Sequence, residues 1–163
     1  MALLASISSA FASELPAASE NQRLAVTWDH GWADIEGTSH WYDTNGATFT
    51  VENVVGDFGV GVSMMRFNES ECGFRVKSDI VTVNPTFKMA DNFYIAPKLG
   101  FANTRAKVAN PYVGYGSGTD TGFAYGVDVM YNISNFTVGA GYMHAQLGDS
   151  DTSILSTKVG LNF

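Results

Sequence analysis

From Arg23 to the last residue, large apolar side chains alternate with small or polar ones at a period of two, a pattern that leaves room for little but β-strands. In GFAYGVDVMYN, residues 122–132, Phe123, Tyr125, Val127, Val129 and Tyr131 share one phase, while Ala124, Gly126, Asp128 and Asn132 share the other. Eight such segments follow one another, at about 22–33, 46–55, 57–67, 74–89, 92–104, 120–133, 135–147 and 152–163. Helical spacing appears in none of them. The connections alternate in length. Gly56-Asp57, Ala90-Asp91-Asn92 and Ser134-Asn135 are minimal, whereas IEGTSHWYDTN, NESECG, RAKVANPYVGYGSG and GDSD are longer and acidic or glycine-rich. Short turns therefore gather at one end with both termini, and longer loops at the other.

Which face of these strands meets solvent decides the architecture. In a soluble sandwich the phase opposite the apolar one is charged. Here it is small and mildly polar: Gly59, Gly61 and Ser63 in the third segment, Thr137, Gly139 and Gly141 in the seventh. Such residues suit the crowded interior of a narrow barrel, and a large apolar exterior is favourable only in lipid. Segments of about 10 residues suffice for a tilted strand to cross the hydrocarbon. The expectation is an all-β, eight-stranded antiparallel up-and-down transmembrane β-barrel over residues 22–163. Aromatics near the segment ends, among them Trp28, Trp32, Phe93, Tyr131, Tyr142 and Phe163, match two interfacial girdles. An open edge would leave backbone groups unpaired in lipid, so the first and last strands must pair. That explains a chain ending in STKVGLNF: Phe163 is a girdle residue of the closing strand.

Composition narrows the rest. The 163 residues suit one domain; mean hydropathy is +0.01 despite 45% apolar content, and no run of about 18 apolar residues marks a membrane helix. A net charge of −7 argues against nucleic acid as a partner. One cysteine, Cys72, excludes an internal disulfide and a cysteine-based zinc site; it is expected at a loop tip as an unpaired thiol. Residues 1–12, with ALLASISSAFA ending on Ala10-Phe11-Ala12, read as the remnant of a signal peptide lacking its basic start, and 13–21 as a polar linker.

The strand pattern, the loop asymmetry and the terminal KVGLNF resemble the small eight-stranded outer-membrane barrels of Gram-negative bacteria, the group of the OmpA transmembrane domain, OmpX and the opacity proteins. The resemblance covers roughly residues 22–163. It implies a bacterial outer-membrane location with both termini periplasmic. It further implies that Val159, Leu161 and Phe163 are the signal read by the barrel-assembly machinery. Loops in that group differ freely, so function follows less directly from the resemblance than fold does.

Catalysis has little support in the residues. Small outer-membrane barrels that modify lipid A place His with Ser, Asp or Glu near the outer rim. His144 lacks the His-x-Ser pattern, and Asp29 and His30 point to opposite faces as strand neighbours. Asp149-Ser150-Asp151 lacks the glycine and closing glutamate of a calcium loop, so neither a metal nor a cofactor is expected. The inward phase carries nearly balanced charges, which predicts a closed network: Lys98 paired with Asp128, extended across the lumen by Lys158 and Glu52. Arg66, Arg75 and Lys77 fall on the outward phase above the apolar band, where cations can meet lipopolysaccharide phosphates. The leading reading is a monomeric, non-enzymatic barrel displaying loops for adhesion and for host, lipopolysaccharide or other surface contact, and serving envelope integrity. A narrow solute channel is second and a lipid A enzyme third.

Overall fold

The computed structural model describes residues 22–36, 41–71, 74–110, 114–147 and 150–163. The expected signal remnant and linker, Cys72 and Asp149 lie outside them. Eight strands follow in order: β1 (Arg23–Ile35), β2 (Trp41–Val55), β3 (Phe58–Glu71), β4 (Phe74–Ala90), β5 (Phe93–Asn110), β6 (Gly114–Ile133), β7 (Phe136–Leu147) and β8 (Ser150–Asn162). Each pairs antiparallel with its sequence neighbour, and β1 with β8, giving a closed barrel. Closure extends to the last residue. Phe163 N–H donates to Leu24 O at 2.9 Å, and Leu24 N–H to Phe163 O at 3.1 Å.

Two-residue turns join β2 to β3, β4 to β5 and β6 to β7. Gly56 takes the left-handed conformation (φ 57°) that only glycine adopts freely, and Ser134 does the same (φ 55°) at the cost of a strained backbone. Asn53 (φ 54°) marks a bulge where the β2–β3 register shifts between Val51 and Val55. At the other end the strands reach further than the alternation predicted. β5 runs to Asn110 and β6 starts at Gly114, so most of the supposed glycine-rich loop is strand. Its residues lack an apolar phase because they stand beyond the belt. Ladder hydrogen bonds, which need no particular side chain, carry the strands on.

The alternation sorts as expected. Trp28, Phe49, Val62, Leu99, Tyr125 and Leu155 are among many large apolar side chains left exposed, while the intervening residues are buried. Such an exterior is stable only against hydrocarbon. Aromatics rim the belt at both edges. Phe58 and Phe87 meet edge to face at 5.5 Å near the turn end, and Phe101 and Phe123 at 5.9 Å near the opposite end.

Candidate functional site

The lumen is filled in layers. Nearest the turns, Asn132 Nδ2 donates to Glu52 Oε2 across the barrel at 2.8 Å, Thr137 Oγ1 donates to Asn132 Oδ1 at 2.8 Å, and Asn162 Nδ2 donates to Thr137 Oγ1 at 3.2 Å. Tyr94 is buried beside them and accepts from Asn53 Nδ2 at 3.5 Å.

One layer further in lie four charges of zero sum. Asp128 Oδ2 stands 2.9 Å from Lys98 Nζ and 3.0 Å from Lys158 Nζ, and Lys158 also binds Asp29 Oδ2. All four side chains are at most 2% exposed. Hydroxyls and an amide complete the set. Thr48 Oγ1 donates to Asp29 Oδ2 (2.6 Å), Thr27 Oγ1 to Asp29 Oδ1 (2.9 Å), and Lys158 Nζ to Thr48 Oγ1 (2.9 Å). Ser63 Oγ lies 2.7 Å from Thr48 Oγ1 and accepts from Asn84 Nδ2. Gly141 makes the room: a Cβ there would press on Asp128 Oδ1 and Ser156 Oγ.

This differs in one respect from the sequence expectation. Glu52 does not join Lys158 but lies six residues lower along β1, opposite Arg23, whereas Lys158 faces Asp29. Counting residues from the turns ignores the stagger that barrel closure imposes between β8 and β1, and the bulge at Asn53 displaces β2 further. Asp29 takes the place assigned to Glu52.

Above the charges comes a layer that the sequence reading missed. Ala33, Met65, Ile80, Ala102, Ala124, Met143, Ala145 and Ile154 form one buried apolar cluster, each at most 3% exposed. They stand on the inward phase of seven strands, above the charge layer, as Ile154 stands above Ser156 and Lys158. The signal was present as Met and Ile on a phase otherwise small and polar.

Outside, the belt ends abruptly. Trp28, Ala47, Met64, Val81, Phe101 and Phe123 are successive partners across six strands. Two residues further from the turns, the matching row reads His30, Asn45, Arg66, Asp79, Asn103 and Thr121. The β3–β4 register runs unbroken from Phe58–Phe87 to Glu71–Phe74, so Arg66, Lys77 and Arg75 keep one outward phase. Lys77 pairs with Arg105 and Arg75 with Lys107 across β4–β5. Five of the chain's nine cations thus stand together above the belt, tempered by Asp79, which binds Arg66 and lies 3.8 Å from Lys77. With Asn68 they line a groove of about 380 Å³.

On the opposite flank, His144 pairs with Ser153 (Nδ1 to Oγ 3.5 Å) and approaches Asp151 (Nε2 to Oδ2 3.7 Å). The residue types are those of a hydrolytic triad, a grouping that sequence spacing did not suggest. Ser153, however, lies within β8 between β7 and β1 partners, where backbone N–H groups serve the ladders rather than an oxyanion, and Tyr142 OH lies 3.1 Å from its Oγ. Val159, Leu161 and Phe163 all face outward and are exposed.

No family model and no curated protein matches the chain. Solved structures do. Ail, the attachment invasion locus protein of Yersinia pestis, superposes with a TM-score of 0.72 at 20% identity, covering 87% of this chain and 97% of Ail. Neisserial surface protein A gives 0.61 at 16% identity, with the same coverage of 87% and 97%. The N-terminal β-barrel domain of Pseudomonas aeruginosa OprF gives 0.59 at 14%, covering 85% and 97%. The chain therefore has the fold of the small eight-stranded outer-membrane β-barrels.

Proposed function

We propose that this protein is a non-enzymatic barrel of the bacterial outer membrane, termini in the periplasm, whose outer rim makes surface contacts, first with the phosphates of lipopolysaccharide. The observation that carries the reading is the cationic group of Arg66, Arg75 and Lys77, with Arg105 and Lys107, immediately above the apolar belt of a chain of net charge −7. Cations at that height meet the headgroup level of the outer leaflet, where anions are dense. Support for wider surface contact comes from Ail, whose structure in complex with the heparin analogue sucrose octasulfate joins this fold to a polyanion. A solute channel is disfavoured by the ion layer and the apolar layer lying in series across the lumen.

Expression in a Gram-negative host should place the protein in the outer-membrane fraction, migrating differently on gels with and without boiling. The Arg66→Gln/Arg75→Gln/Lys77→Gln variant should bind lipopolysaccharide more weakly, with a shallower salt dependence. Unchanged binding would remove the lipopolysaccharide assignment, and recovery as soluble protein would remove the membrane one.

A further inference from the structure

The belt carries a second groove, beside the cationic one. Along β2 the outward side chains shrink to Asn45 and Ala47, while Trp28 on β1 and Met64 and Arg66 on β3 stand tall on either side. The resulting trough, of about 680 Å³, is floored by Gly46 and Ala47 and walled by Trp28 and Met64. It opens toward Asp43, Asn45, Arg66 and Asn68. Its polarity runs in one direction, apolar within the belt and polar above it. Arg66 and Asn68 line both this trough and the cationic groove, so the two form one continuous surface.

We propose that this surface is a binding site for one acylated, multiply phosphorylated glycolipid of the outer leaflet. One acyl chain lies over Ala47 between Trp28 and Met64, and the phosphates lie on the cations. The inference rests on the reading above and adds the chain groove. Three features select this occupant. An apolar floor the width of one small residue accepts a chain and excludes a bulky group. The amides of Asn45 and Asn68 and the Asp43 carboxylate meet hydroxyls of a sugar. The cations stand on paired positions of strands that lie about 5 Å apart, and on positions about 7 Å apart along each strand, so adjacent pairs are placed to hold separate phosphates of one headgroup. Arg66, shared by the two grooves, meets the phosphate nearest the chain.

The test uses the folded protein in a neutral detergent, with bisphosphorylated lipid A as the acylated probe and inositol hexakisphosphate as the chainless one. Ala47→Phe fills the trough without touching the lumen. It should weaken lipid A binding roughly tenfold, the scale set by losing a chain's apolar contact, while leaving inositol hexakisphosphate binding unchanged. Arg105→Gln/Lys107→Gln should weaken both. Independently of any change at Ala47, lipid A with brominated acyl chains should quench Trp28 emission in a Trp32→Phe/Trp41→Phe background. Equal lipid A affinity for Ala47→Phe and the parent, or no quenching of Trp28, overturns the groove. If lipid A binding then still falls in the Arg66→Gln/Arg75→Gln/Lys77→Gln variant, the broader reading stands without it. If that variant binds normally too, both fall.

Discussion

Asp128 shows what a single buried carboxylate does in this lumen. It receives two ammonium groups on one oxygen, so Asp128→Ala leaves Lys98 without its nearest counter-charge and Lys158 with Asp29 alone. Removing one partner of such a buried set should cost about 3–5 kcal/mol. Replacing Lys98 and Asp128 together by apolar residues should cost less, and urea unfolding of a double-mutant cycle in lipid measures the coupling. Gly141→Ala attacks the same pair from outside it. The added methyl occupies the space of Asp128 Oδ1, and the midpoint should fall although no charge is removed. The Lys98–Asp128 juxtaposition was legible because two-residue turns at 91–92 and 134–135 fix both heights by counting. The Lys158–Asp29 contact was not. β8 and β1 share no turn, and their register is set only when the barrel closes.

At the level of single strands, alternation located all eight but failed at their outer ends, where it fades into Ser, Thr and Gly and only the ladder continues. β8 makes the opposite case, since its pattern is clean to the final residue. Deleting Phe163 removes an exposed girdle side chain and the two backbone hydrogen bonds to Leu24. The finished barrel should lose on the order of 1.5–3 kcal/mol, the worth of one aromatic side chain in apolar surroundings. Assembly in cells should slow by more than that loss explains. Comparing surface levels in cells with refolding yield in detergent separates the two; normal surface levels would contradict an assembly role for the terminal residue.

For the molecule as a whole, the layered lumen makes the sharper prediction. Planar bilayers should show no steady conductance, because ions would have to cross both the charge layer and the apolar one. Ile154→Ala opens a void in the apolar layer and should destabilise by about 2–5 kcal/mol. It should not create a conducting state, since Lys98, Asp128, Lys158 and Asp29 still block the path. A steady current through the parent barrel would restore the channel reading. The fold and its closure were legible because the membrane demands them of any strand-built span. The apolar layer was marked only by Met and Ile on the inward phase, and Arg105 and Lys107 join Arg66, Arg75 and Lys77 only through the β4–β5 register, which no turn count supplies.

The charge layer also has a mechanical consequence. A barrel pulled by its C-terminus should unzip pair by pair, with Asn162, Leu161, Gly160 and Val159 leaving β1 and β7 in turn. At Lys158 the load passes at once to Asp29 on β1, Thr48 on β2 and Asp128 on β6. A force trace should pause there, five residues into the peel, before the wall gives way: the lysine works as a rivet rather than as a stitch.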